Sequence, residues 1–143
     1  MSFDIRQLEI LDQGEFKVTN AAGAQQYDTE GRELSITLAS PGTKKYLQAE
    51  HAYNQKQAAR RTAMAMNRNT KSNYQDEIAE KAEFFAGITL SFNNFTYGDK
   101  TGYEMYKAFF SNPKLGFVAV GVDRYLGDWG NFNPSVPDNS PSM

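Results

Sequence analysis

Leu34-Ser35-Ile36-Thr37-Leu38-Ala39-Ser40-Pro41-Gly42-Thr43-Lys44 changes character at its midpoint, and that change decides the class of fold. Up to Ala39, Leu34, Ile36 and Leu38 alternate with Ser35, Thr37 and Ala39, the period of two that turns one face of a strand toward a core. At Ser40-Pro41 the alternation stops. Serine suits a helix N-cap, and proline suits the first helical position, where its missing N–H costs nothing. From about Thr43 to Asn67 the chain is then dominated by Ala, Gln, Lys, Arg and Met, all good helix formers.

Upstream, Phe16 and Val18 alternate with Glu15, Lys17 and Thr19 and predict a second half-buried strand. Phe3, Ile5, Leu8 and Ile10 form a less regular opening element compatible with a strand. Between the clear strands, Asn20 to Arg32 is polar and carries Gly23 and Asp28-Thr29-Glu30-Gly31, which is turn chemistry. The expectation is a small antiparallel hairpin or meander with a long, mobile tip. Two or three strands are marginal alone in water, so this sheet has to pack on helices.

Downstream, Asn67 to Ser72 reads as a break and roughly Asn73 to Leu90 as a helix. Tyr74, Ile78, Ala82, Phe85 and Ile88 follow the helical period, with Phe84 widening the stripe. Asp76, Glu77, Glu80 and Glu83 fall in its earlier turns, the end at which the helix dipole favours acids. Ser91 to Lys100 reads as a loop rich in aromatics (Phe92, Phe95, Tyr97) that closes on Gly98-Asp99. Thr101 caps a short helix carrying Tyr103, Tyr106, Phe109 and Phe110, which Asn112-Pro113 ends. Leu115, Val118 and Val122 give a last helix, Leu115 to Leu126, one apolar face. The single tryptophan, Trp129, follows between Gly127 and Gly130 as a pin for the last ordered turn or a contact residue. The Pro/Ser/Asn segment 133–143 has nothing to bury and reads as a disordered tail. The expected fold is therefore α+β in one domain over residues 1–132. An N-terminal antiparallel β segment (1–39) precedes a mainly helical part of about four helices (40–132).

Composition narrows the function classes. A chain of 143 residues suits one domain, and 40% hydrophobic content excludes wholesale disorder. No cysteine is present, which removes disulfides, thiolate nucleophiles and Cys-type zinc sites together. Met1-Ser2-Phe3-Asp4-Ile5 lacks signal-peptide character, and no run approaches the roughly 18 apolar residues of a membrane helix. A soluble protein that stays in the compartment where it is made is expected.

The formal charge of −2 is mild but unevenly spread. Residues 41–71 hold Lys44, Lys45, Lys56, Arg60, Arg61, Arg68 and Lys71 against Glu50 alone, so that segment is +6 and the rest −8. Lys56 and Arg60, with Lys45, could line a phosphate-tracking face, but no aromatics are interleaved there for base stacking. A solvated helix face and a docking surface for an acidic protein partner stand beside that reading.

Catalytic patterns are missing. His51, the only histidine, has no second ligand in its neighbourhood and reads as a solvated helix residue. The chain carries no nucleophile elbow and no dinucleotide fingerprint. Gly98-Asp99-Lys100-Thr101-Gly102 lacks the Gly-Lys-Ser/Thr end of a phosphate loop and reads as a connecting turn. Asp76, Glu80 and Glu83 sit where helix-start acids ordinarily sit. No enzyme, cofactor or metal is expected.

Three segments together resemble the tail assembly chaperones of long-tailed bacteriophages. They are Ile36-Thr37-Leu38-Ala39-Ser40-Pro41-Gly42-Thr43-Lys44, the acidic-to-aromatic Ala79-Glu80-Lys81-Ala82-Glu83-Phe84-Phe85-Ala86, and a closing pattern. The last runs from Tyr106 to Phe110, through Asn112-Pro113-Lys114-Leu115-Gly116-Phe117, to Gly127-Asp128-Trp129-Gly130-Asn131-Phe132. The resemblance covers about residues 33–132 and carries no catalytic residues. It implies a non-enzymatic factor in the host cytoplasm, absent from the mature virion, that binds the tape-measure protein and keeps it soluble while the tail tube assembles. A longer frameshifted product reaching the tail-tube protein, and self-association, are further implied. The N-terminal β segment is not a feature the family demands.

Such a factor needs exposed apolar grooves of modest affinity repeated along the client. Phe84, Phe85, Phe109, Phe117 and Trp129 are the candidate client or self contacts, with Lys56 and Arg60 as docking cations; the competing reading of the aromatics is a compact core. Two other functions stand against the chaperone. One is a virion structural subunit of the tail or head–tail joint. The other is a small nucleic-acid-binding protein using helix 43–67, although nucleic acid and membrane are not the expected partners.

Overall fold

The computed structural model describes residues 2–66 and 74–134. Strands β1 (Gln13–Lys17), β2 (Ser35–Ala39) and β3 (Thr89–Asn93) form one antiparallel sheet in the order β1-β2-β3. Around it lie helices α1 (Lys44–Met66), α2 (Tyr74–Ile88), α3 (Gly102–Phe110) and α4 (Gly116–Gly127). The α+β architecture read from the sequence is the one observed.

The two legible strands pair directly, Gly14 opposite Leu38 and Phe16 opposite Ile36. Their connection has its own hydrogen bonds. Asn20 Oδ1 accepts from the N–H groups of Ala22 and Ala24, both at 3.0 Å, and Asp28 Oδ1 accepts from Glu30 and Arg32 at 2.8 and 2.9 Å. These side-chain-capped turns fold the tip back on itself.

Four expectations need correction. β3 lies in the segment read as the end of a helix and a loop, and it makes β2 the central strand, largely buried on both faces. The reason is local: Thr89 Oγ1 donates to the Phe85 carbonyl at 2.8 Å as α2 gives way to the strand, with no intervening turn. The opening apolar residues form a 3-10 turn, Ile5–Leu8, with no buried side chain. Asp4 caps that turn by accepting from the Arg6 N–H at 3.0 Å, and the turn pairs with no strand. At the head of α1, Thr43 takes the cap role assigned to Ser40: its Oγ1 accepts from the Tyr46 N–H at 3.2 Å. Ser40 Oγ is buried without a hydrogen-bond partner. Finally, α1 meets α2 through Tyr46, Ala49, Tyr53, Gln57, Arg60 and Met64, while Ala59, Ala63 and Met66, read as part of its apolar face, are exposed. The seam keeps the helical period through polar positions, so following the apolar letters leads off it. The break read at 67–72 and the tail beyond Pro134 lie outside the described residues.

The core sits between the helical face of the sheet and the helices. Ile36, Leu38, Ile88, Val122 and Phe132 are fully buried there, with Phe85 at 1% exposure. Phe85, Phe109 and Phe110 form a ring chain with centroids 5.1 and 5.0 Å apart, extended through Phe92 and Phe95. Offset and edge-on geometries at these spacings are the favourable ones for aromatic pairs.

Candidate partner-binding surface around the last helix

The seven residues singled out from the sequence divide by position. Phe84, Phe85 and Phe109 belong to the core cluster and are withdrawn as contact residues: α2 and α3 turn them onto each other and onto α1. Phe117 and Trp129 remain at the surface, 38% and 55% exposed. Lys56 and Arg60 are engaged within the fold. The Lys56 ammonium is hydrogen-bonded to Glu83, and Arg60 pairs with Glu80 at 2.8 Å and Glu77 at 3.3 Å. Lys107 adds a second cation to Glu83 at 3.5 Å. The hydrogen bond from Lys56 therefore holds the Glu83 carboxyl below its ordinary range and raises Lys56. Glu77, Glu80 and Glu83 of α2 and Lys56 and Arg60 of α1 are thus one inter-helix ladder, which removes Lys56 and Arg60 from a phosphate-tracking face.

What the fold does present is a pair of grooves on either side of α4. Between α2 and α4 lies a mainly apolar cleft of about 240 Å³, lined by Ile78, Lys81, Phe85, Phe110, Asn112, Pro113, Gly116 and Ala119. Its depth comes from two small residues one helical turn apart, Gly116 and Ala119, facing Ile78 across the gap. A Cβ at Gly116 would meet nothing within 4 Å. Lys81 crosses from α2 to pair with Asp123 of α4 at 3.3 Å, and its ammonium lies 5.0–5.3 Å from the rings of Tyr53, Phe84 and Phe85. That cation–π position keeps the polar head of Lys81 satisfied while its stem supplies apolar wall.

On the other side, α4 and the chain leaving β1 form a shallow trough of about 380 Å³ over Phe16, Phe117, Val120 and Gly121. Gly121 is required by contact: a Cβ there would lie 2.9 Å from the Phe16 ring. Val120 stands exposed on the crest of α4, with Phe117 beside it. At the far end of α4, Asp128 caps the turn Trp129–Phe132, accepting from the Gly130 N–H at 3.0 Å, so Phe132 enters the core while Trp129 stays outside.

Ile78, Lys81, Gly116, Val120 and Gly121 were not singled out from the sequence. The i, i+3 pair of small residues Gly116 and Ala119, inside an otherwise bulky helix, was the available signal. Among the described residues no group of three His, Cys, Asp or Glu side chains is placed to hold a metal ion, and no helix is long and apolar enough to cross a membrane. Compared with protein-family models, curated proteins and solved structures, the chain matches none.

Proposed function

We propose that this chain is a non-enzymatic assembly chaperone for a phage tail, acting in the host cytoplasm on the long helical tape-measure protein. The observation that carries the reading is the apolar cleft between α2 and α4, walled by Ile78 and Phe85 on one side and by Gly116 and Ala119 on the other. A cleft of this kind suits one apolar edge of an amphipathic helix, the helix-in-groove mode of recognition. Its small volume limits each engagement to one or two side chains, so binding at one site is weak and holding a long client needs many copies. The sequence resemblance over residues 33–132 points the same way. A longer frameshifted form would bring the tail-tube protein to the same client.

The test is co-expression with the large coiled-coil-like protein encoded immediately downstream. The client is expected to become soluble and to co-purify with the wild-type chain. Gly116→Leu, which fills the cleft from a position with free space around its Cβ, is expected to fold and to lose co-purification. Ile78→Glu, on the opposite wall, is expected to do the same. A client that stays insoluble with the wild-type chain, together with this chain in purified particles, would replace the chaperone by a virion structural subunit.

A further inference from the structure

The opening segment carries more exposed apolar surface than its own structure explains. Phe3, Ile5 and Leu8 are all exposed, Ile5 at 71% and Leu8 at 60%, and Leu11 is half-exposed. Large apolar side chains are rarely gathered this densely on a surface that touches only water. The segment nonetheless has a defined shape. Asp4 caps the turn Ile5–Leu8 and pairs with the Arg6 guanidinium at 2.6 Å. Among the described residues the hydrogen bonds of residues 2–9 all close within the segment, such as Gln7 N–H to the Asp4 carbonyl. The chain joins the domain only at Ile10, which lies over Gly42, and at Leu11, whose N–H donates to the Phe132 carbonyl at 2.7 Å. Residues 2–9 are therefore an arm. In a 3-10 turn positions i and i+3 eclipse, so Ile5 and Leu8 form one ridge along it.

We infer that this arm seats in the trough beside α4 of a second copy of the chain. Ile5 and Leu8 lie over Phe117, Val120 and Gly121, and Glu9 pairs with Arg124. The trough is the concave counterpart of the ridge: about 380 Å³, with Phe117 and Val120 exposed along it. The charges are complementary. Arg124 is the one formal charge among the residues lining the trough, and it has no ion-pair partner among the described residues. Its neighbour Asp123 is already paired with Lys81. On the arm side, residues 2–12 hold three acids against Arg6, and Glu9 and Asp12 are unpaired among the described residues. The spacing agrees as well. From Ile5 to Glu9 the turn advances about 8 Å, and from Phe117 to Arg124 the helix advances about 10 Å. Both run from apolar to charged, so the arm lies along α4 in the same direction. An arm is steered away from the trough of its own molecule. Ile10 holds it beside Gly42, past the end of β2, and no residue of β2 lines the trough. One arm in one trough buries well below the roughly 1,200 Å² of a standard interface, so the contact is short-lived and populated at high concentration. The inference draws neither on the cleft between α2 and α4 nor on the client.

Single cysteines test it, because the chain has none of its own. Leu8→Cys and Val120→Cys both replace exposed side chains and leave the core alone. Mixed in equal amounts under mild oxidation, the two variants are expected to cross-link to twice the 16.1 kDa chain mass, well beyond either variant alone. Linking no greater than that of the separate variants would overturn the proposal. So would a Leu8→Cys/Val120→Cys chain that closes within one molecule while the mixed single variants stay apart, since the arm would then serve its own trough. Exchanging the charges gives a second readout. Sedimentation of the wild-type chain from about 10 to about 500 µM is expected to show a mass that rises with concentration. Arg124→Glu, which sets two acids together, is expected to weaken the association about tenfold, and Glu9→Arg added to the same chain to restore it. A wild-type chain that stays monomeric over that range, or an association that Arg124→Glu leaves unchanged, would also overturn it. The same holds for a weakening that Glu9→Arg fails to reverse.

Discussion

Gly14 of β1 lies directly beneath the hydroxyl of Tyr125 of α4, and no side chain fits between them. A Cβ at Gly14 would also come within 2.7 and 2.9 Å of the Phe132 ring. Tyr125 and Phe132 are edge-to-face with centroids 5.3 Å apart, so neither ring can yield without disturbing the other. Gly14→Ala is therefore expected to cost about 1–3 kcal/mol by overpacking. Urea denaturation would read this as a lower midpoint with an unchanged slope. An unaltered midpoint would mean that the last helix and the turn after it are held more loosely on β1 than described.

The division of aromatics into core and surface predicts opposite results for the same substitution. Phe85→Ala should cost about 3–5 kcal/mol, since a fully packed ring is removed and its neighbours cannot close the space. Trp129→Ala and Phe117→Ala should each change stability by less than about 1 kcal/mol. Thermal unfolding of the three variants side by side decides the matter. A Trp129→Ala protein as damaged as Phe85→Ala would place the tryptophan in the core.

Acid should loosen the α1–α2 hairpin. Lys56 holds the Glu83 carboxyl below its ordinary value, so the pair contributes stability above the unfolded glutamate range. That contribution is lost as pH falls through the lower, folded value. Hydrogen exchange in α1 should therefore quicken at acid pH, and Glu83→Gln should remove part of that dependence while leaving the sheet unaffected. Equal acid sensitivity in Glu83→Gln and the parent would assign the effect to other carboxylates.

Asn93 binds the third strand to the second through side chains as well as backbone. Its amide donates to Ser35 Oγ at 3.0 Å and Thr37 Oγ1 at 2.9 Å and accepts from Ser91 Oγ at 2.9 Å. Asn93→Ala is expected to cost about 1–2 kcal/mol, because two hydroxyls on the neighbouring strand lose their donor. Loss of amide protection confined to residues 89–93 would be the accompanying signature.

How much was readable depends on the distance over which each signal acts. Phe16 and Val18, then Ile36 and Leu38, announce β1 and β2 by alternation within a few residues, and the two strands pair as neighbours in sequence. Thr89-Leu90-Ser91-Phe92-Asn93 carries a similar alternation, but it follows α2 without a turn and its partner Ile36 lies far upstream. For the candidate surface, exposed Trp129 was legible as an aromatic between two glycines and Phe117 as one of the rings of the aromatic-rich second half. Ile78 and Gly116 were not, because the cleft exists only where the fold brings these residues of α2 and α4 to the same pocket.

By itself the sequence determined the α+β class, the start of the helical part after Ala39, the four helices to within a few residues, and an uneven charge. All of these follow from periodicity, capping and composition, which act along the backbone. Only the tertiary structure decided that Phe84, Phe85 and Phe109 face inward and that Lys56 and Arg60 of α1 are matched by Glu77, Glu80 and Glu83 of α2. It alone set β3 on the edge of the sheet. Those outcomes depend on which surfaces meet, and ring stacking, ion pairing and strand register reward particular partners that no local pattern names.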